Sequence, residues 1–401
     1  MPTTARTRAD ACPGVVSPHL AADGALARVR LPGGVITGPA LRAVAALAES
    51  AGDGSVHLTS RGNLQLRGLD PADPRPVRTL RAAGLLPSTT HERVRNVLAS
   101  PLSGISGGLA DVRGLAAVLD RGLCARPGLA RLSGRFLFAL DDGRGDVAAE
   151  RPDLCWRATG RDEGELFVAG DRTGLRRAPA DAPALLLDAA QAFLAVCGDA
   201  WRAGDLDDAA ARIVALLGAT DGRPSRDSTA DRASRDGAGA DQHATLAGEP
   251  AVGELGGGAV GVAPELGELS GVALRELAGT APELVVTPWR TLVLPAPAPG
   301  ALGRLRAAGL VVDPGHPALR VSACAGAPGC AKSLADVRAD ARMLIRHGVG
   351  RPVHVVGCAR RCGAPHTPHV DAVATGAGDY QIDGAPGALT APSPDRPRST
   401  R

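Results

Sequence analysis

Cys324 and Cys330 enclose five residues, Ala-Gly-Ala-Pro-Gly, and after a further 27 residues Cys358 and Cys362 enclose Ala-Arg-Arg. Any fold that uses these four thiols together must bring two separate segments to one centre. Thiolate sulfur selects iron–sulfur clusters, zinc or copper(I). Structural zinc sites favour gaps of two to four residues, so the first gap fits zinc poorly. The spacing also differs from both common ferredoxin patterns. Gly326, Pro328 and Gly329 suit a tight loop that turns its amides toward sulfur. If 358–362 forms one helical turn, Cys358 and Cys362 share a face. A 4Fe-4S cluster is the favoured reading; zinc and unliganded or disulfide-bonded thiols remain alternatives.

At 401 residues, 44% of them apolar, the chain has room for two or three domains. A net charge of +3 and 2% aromatics give neither the electrostatic footprint nor the stacking platforms of a nucleic-acid binder. No apolar run reaches the eighteen residues of a membrane span. The start, Met-Pro-Thr-Thr-Ala-Arg-Thr-Arg, lacks the apolar core of a secretory leader. A cytoplasmic setting is therefore expected, where clustered cysteines bind metal more often than they pair. Cys12, Cys124, Cys155 and Cys197 have no ligand spacing and read as small apolar residues or incidental thiols. Lys332 is the only lysine among the 45 basic residues.

Along the chain, the periodicity predicts strand, helix, strand, strand, helix over the first eighty or so residues. Thr37 is expected to cap the first helix, and Leu41, Val44 and Leu47 form its apolar stripe. This pattern returns after residue 250. Ile36-Thr-Gly-Pro-Ala-Leu-Arg42 is echoed by Leu269-Ser-Gly-Val-Ala-Leu-Arg275, and Leu58-Thr-Ser-Arg61 by Val286-Thr-Pro-Trp-Arg290. Each of the two later arginines precedes another Leu-alternating strand. The ordered match implies an internal duplication, a pseudo-two-fold core and a shared site. The expected units are a disordered lead-in at 1–12, half-repeat 1 at 13–88, a larger α+β lobe at 89–219, a flexible linker at 220–250, half-repeat 2 at 251–312, a cluster lobe at 313–385 and a disordered tail at 386–401. Thr220 to Pro250 is poor in large apolar residues, which is why it reads as a linker. Gly256-Gly-Gly258-Ala-Val-Gly261 matches a dinucleotide fingerprint but leaves a linker and enters a strand, the wrong context for a nucleotide site.

Three motifs in order, Leu58-Thr-Ser-Arg61, Arg95-Asn-Val-Leu98 and the C-x5-C…C-x3-C set, make the chain resemble the nitrite/sulfite reductase superfamily. The resemblance spans nearly the whole chain. It implies an α+β fold with two ferredoxin-like half-repeats and two larger α+β lobes around a tetrapyrrole site, the second lobe carrying a 4Fe-4S cluster. Thr287-Pro-Trp-Arg290 and Ala323-Cys-Ala-Gly-Ala-Pro-Gly-Cys330 are similar to the precorrin-3B synthase branch. The sirohaem reductases carry a Lys-x-Lys pair where this chain has Arg135-Phe136-Leu137. Leucine holds no proton and no anion, which turns the reading away from six-electron reduction of sulfite or nitrite.

What that branch implies is O2-dependent hydroxylation of precorrin-3A at C20 with closure of a γ-lactone, in cobalamin biosynthesis. The partners would be precorrin-3A, O2 and an electron-donating reductase or ferredoxin passing on NADH-derived electrons. A mononuclear non-haem iron is also implied; its ligands are not placed, although His57, His366 and His369 lie near motif segments. No catalytic residue is assigned. The substrate's acetates and propionates suit bidentate guanidinium clamps. The repeat and the motifs point Arg61, Arg67, Arg95, Arg135 and Arg290 at one cavity, with Arg93 a weaker candidate. Two alternatives stand beside this reading: a sirohaem-dependent sulfite or nitrite reductase, and a 4Fe-4S electron-transfer protein.

Overall fold

The computed structural model describes residues 10, 12–220, 251–387 and 389. The expected lead-in, linker and tail fall almost wholly outside the described residues.

Half-repeat 1 runs β1 (His19–Ala21), β2 (Gly24–Val29), β3 (Val35–Thr37), α1 (Gly38–Ala51), β4 (Ser55–Leu58), β5 (Leu64–Leu69) and α2 (Arg75–Ala82). Thr37 caps α1 as its sequence suggests, its hydroxyl accepting from the Ala40 amide at 3.3 Å. A larger lobe follows, with β6 (Val97–Ala99), α3 (Arg113–Cys124), β7 (Phe138–Asp141), β8 (Leu154–Ala158), β9 (Gly164–Val168), β10 (Asp171–Arg177), α4 (Ala182–Val196) and α5 (Ala209–Thr220). A 3-10 turn over Pro127–Arg131 precedes β7, which begins at Phe138.

Past residue 250 the first order repeats: β11 (Gly253–Glu254), β12 (Val260–Val262), β13 (Glu268–Ser270), α6 (Gly271–Thr280), β14 (Glu283–Val286), β15 (Leu292–Leu294) and α7 (Ala301–Ala307). Ser270 caps α6 as Thr37 caps α1, accepting from the Ala273 amide at 3.2 Å. Gly256–Gly258 forms a 3-10 turn leading into β12, with no helix to receive a nucleotide phosphate. The chain ends in β16 (Val321–Ala323), α8 (Val337–His347), β17 (Val353–Val356), β18 (Val370–Ala374), β19 (Tyr380–Ile382) and β20 (Ala385–Gly387).

The two half-repeats exchange strands. One sheet is ordered β1-β2-β5-β4-β13 and the other β11-β12-β15-β14-β3. Each takes its last strand from the opposite repeat: Leu269 pairs with Val56, and Ile36 with Leu284. One buried core runs through both halves, including Leu41 and Val44 of α1 and Leu274 and Leu277 of α6. Each such leucine contributes roughly 2 kcal/mol by leaving water. The duplicated arginines cross over in the same way. Arg42 of α1 donates to the Ala278 carbonyl of α6 at 2.7 Å, and Arg275 of α6 pairs with Glu49 of α1.

The two lobes also match each other. Their sheets are ordered β6-β7-β8-β9-β10 and β16-β17-β18-β19-β20. In both, the first three strands run parallel and the last two antiparallel. The loops after the first and second strands leave the same edge of each sheet, where parallel-stranded folds place their functional groups.

Candidate functional site

In the second lobe those two loops carry the cysteines. Cys324 follows β16 and Cys358 follows β17. The register of the parallel pair brings them together: the Cys324 amide donates to the Val355 carbonyl at 3.1 Å, and the Gly357 amide donates to Cys324 Sγ at 3.4 Å. Gly326, with φ of 71°, turns the first loop; a Cβ there would lie 2.8 Å from Val337. The second pair sits in a turn rather than the helical turn expected, with Arg361 at φ 47°. Burial raises the Cys362 thiol pKa, and the neighbouring Cys324, Cys358 and Cys330 raise it further. Among the described residues, no three of these sulfurs lie within 4.8 Å of one another. One tetrahedral zinc ion needs sulfurs about 3.8 Å apart, given Zn–S bonds of ~2.3 Å. All four thiols are free.

The arginines sort into two groups. Arg67 and Arg95 have internal partners. Arg67 holds both oxygens of Asp23 at 2.8 and 2.9 Å. Arg95 holds both oxygens of Asp120 at 2.7 and 2.8 Å, and also donates to the Leu85 carbonyl. Arg93 donates to the Asp10 carbonyl. Arg135 is exposed, with its guanidinium 5.1 Å from the Trp201 ring centre. Arg290 adopts φ of 58° and donates to the Gly363 carbonyl at 2.9 Å, one residue beyond Cys362. Of the five arginines expected to share a cavity, then, Arg61 has no side-chain hydrogen bond or ion pair among the described residues and Arg290 meets the second cysteine loop.

Sequence reading missed the two arginines that join Arg61. Arg28 lies on β2 and Arg30 just beyond it, so their side chains leave the same face of the strand. Arg30 is 2% exposed. Its Nη2 reaches the Pro13 and Arg93 carbonyls only at 3.5 and 3.3 Å. Arg30 Nε, Arg30 Nη1 and Arg28 Nε are buried without a partner. Burial lowers the pKa of all three arginines. Arg30 is lowered further by Arg28. Arg61 falls to about 10, with Arg202 and Arg28 adding to the effect of burial. Nearby Arg202 pairs with Asp153 at 2.6 Å. Buried donors without acceptors cost about 1–3 kcal/mol each; like charges packed together add to that cost. Such an arrangement is suited to receiving carboxylates.

Two further groups reach this region. Glu150 lies in a 3-10 turn after β7, and His366 lies on the loop that follows Cys362. His57 faces Asp53 instead, at 3.7 Å, and His369 faces Asp371 at 3.4 Å. In the first lobe, the end of β7 and the loop after it, equivalent to the second cysteine loop, hold Asp141, Asp142 and Asp146, buried and close enough to share one cation. Ser100, Arg144 and backbone amides already occupy these carboxylates, which suffices to explain their burial. Leu137 is 2% exposed and packs with Leu98, Ala139 and Cys155.

Residues 19–79 match the nitrite/sulfite reductase ferredoxin-like half domain. Over 386 residues the chain is 28% identical to precorrin-3B synthase from Sinorhizobium sp, covering 90% of this chain and 80% of that protein. Along most of its length the chain is homologous to precorrin-3B synthase, and its residues 19–79 carry a nitrite/sulfite reductase half domain. Ferredoxin–nitrite reductase from Synechococcus elongatus is 33% identical over 167 residues, 39% of this chain and 33% of its own length. The NirA protein of Mycobacterium tuberculosis has the same fold, with a TM-score of 0.69, 22% identity and coverage of 89% of this chain and 74% of that one. Among the described residues, no helix is long and apolar enough to cross a membrane.

Proposed function

We propose that this protein hydroxylates precorrin-3A at C20 with O2 and closes the γ-lactone, as a precorrin-3B synthase. The observation that carries this reading is the set Arg28, Arg30 and Arg61: three buried or half-buried guanidiniums, with unpartnered nitrogens on Arg28 and Arg30. Similarity to a synthase along most of both chains supports the same reading. A macrocycle edged with acetates and propionates supplies the acceptors these arginines lack, and bidentate pairing would fix its orientation.

Cys324, Cys330, Cys358 and Cys362 would hold a 4Fe-4S cluster, whose chemistry is to pass electrons one at a time. The chain's own residues bring substrate and cysteine loops together. Arg290 ties the Thr287-Pro-Trp-Arg290 turn to Gly363, and Arg67 ties half-repeat 1 to Gly329 inside the first cysteine loop. The electron donor would be a separate reductase or ferredoxin.

The test is incubation of anaerobically purified protein with precorrin-3A, a reductant system and ¹⁸O2. The expected product gains one labelled oxygen. Absence of label, together with strong Soret and red chlorin bands in the purified protein, would favour a sirohaem reductase instead.

A further inference from the structure

Insertion of one atom of O2 sends the other to water. The balance is substrate–H + O2 + 2 e⁻ + 2 H⁺ → substrate–OH + H2O, with the electrons coming from a one-electron iron–sulfur donor. Two protons must therefore enter a space lined by guanidiniums, which stay protonated and donate poorly.

One pair in the region can move protons. His366 Nε2 lies 3.7 Å from Glu150 Oε2. Glu150 comes from the first lobe and His366 from the cysteine-bearing lobe, so the pair joins the two where the arginines gather. The Glu150 side chain is 10% exposed and that of His366 47%. The pair thus runs from a buried carboxyl to a partly open imidazole. Facing Glu150 are His366, the Trp289 indole and Arg61. Facing His366 are Glu150, Arg151, Arg61 and Arg202. The Trp289 indole N–H has no hydrogen-bond partner of good geometry. Trp289 also lines a cavity of about 290 Å³ with Arg144, Asp146 and Glu254, so polar groups continue past the pair.

We propose that Glu150 and His366 form the proton relay of the oxygenation, a role resting on the functional reading above. A relay works best when its members release and take up protons near the working pH. Glu150 is shifted toward that condition; His366 is shifted the other way, which favours its neutral, proton-accepting form. Burial raises Glu150 to about 7, against the opposing pull of Trp289 and Arg61. Burial, Arg151, Arg61 and Arg202 lower His366.

The experiment compares wild type, Glu150→Gln, Glu150→Asp and His366→Gln, each loaded with its cluster, in single-turnover ¹⁸O-hydroxylation from pH 5.5 to 8.5. Substrate binding is measured separately by absorbance titration. Glu150→Gln is expected to bind precorrin-3A within about twofold of wild type and to hydroxylate it roughly 10²-fold more slowly. It should also lose the pH dependence near neutrality, and Glu150→Asp should restore part of the rate. If Glu150→Gln fails to fold, His366→Gln carries the test, because its side chain is half open to solvent. Wild-type rates and pH profiles in either well-folded variant overturn the relay. A wild-type protein that yields no labelled product overturns the oxygenase reading itself, a separate outcome.

Discussion

Arg67 donates to the Gly329 carbonyl at 2.7 Å, across 262 residues of sequence, while holding Asp23 with two more hydrogen bonds. It acts as a strut between β5 and the loop that carries Cys330. Arg67→Met leaves Asp23 without its partner and the loop without its tie. The expected loss is roughly 2–4 kcal/mol, below the upper range for a buried pair because Asp23 is partly exposed. Arg67→Lys keeps the charge but loses the fork and should recover only part. Thermal unfolding and the rate of iron release to a chelator measure the two effects; unchanged iron release would remove the strut role.

The cysteines couple metal to folding. Cys324→Ser and Cys358→Ser are expected to lose iron and with it the order of the segment from Val321 to Tyr380, because metal-binding energy there is also folding energy. The first lobe, whose equivalent loop is closed by Asp141, Asp142, Asp146 and Arg144, should stay folded. Iron analysis with hydrogen exchange resolved by segment checks this. Uniform loss of protection in both lobes contradicts it.

Arg30→Met should change stability and binding in opposite directions. It removes a guanidinium buried with two unpartnered nitrogens, so the substrate-free protein should gain about 1–3 kcal/mol. Affinity for a polycarboxylated tetrapyrrole should fall roughly tenfold or more, the value of a charge-assisted contact. Melting temperature and absorbance titration give the two readings. A variant that is both less stable and equally tight shows that Arg30 is structural.

Asp146 makes a pH-dependent contribution. Burial, with Asp141 adding to it, raises its pKa to about 7 from 3.8. The folded state therefore holds this proton more tightly than the unfolded chain. The resulting stability is complete below pH 3.8 and is lost as pH rises through about 7. Asp146→Asn keeps an acceptor for the Ser100 hydroxyl and cannot ionise. It should gain on the order of 3 kcal/mol over wild type at pH 8 and nothing at pH 4. Urea unfolding across that range is the measurement.

The duplication was readable because Thr37 and Ser270 open helices of matching pattern, and local caps are written in local sequence. The strand exchange was not, because β3 and β13 are three residues long and their partners lie on the opposite repeat. The cysteine spacing points to a common centre, and the parallel register of β16 and β17 brings Cys324 beside the segment that leads to Cys358. Arg61 stands out as a site candidate by its position between two strands, and it lies near Arg28 and Arg202. Arg67 and Arg95 shared its motif context, but the carboxylates that claim them, Asp23 and Asp120, lie 44 and 25 residues away. Arg28 and Arg30 alternate with Ala25, Ala27 and Val29, the pattern of the solvent side of a half-buried strand. The available signal was two arginines at i and i+2, which share one face; that this face is covered is a tertiary fact. Glu150 carried no motif at all.

The strand exchange gives one polypeptide the anatomy of an intertwined dimer. Neither half completes its sheet alone, and the core through α1 and α6 belongs to both. Cutting the backbone between residues 220 and 251 should leave two fragments that stay together as a tight complex. Produced apart, each would present an unfilled sheet edge and depend on its complement to become soluble.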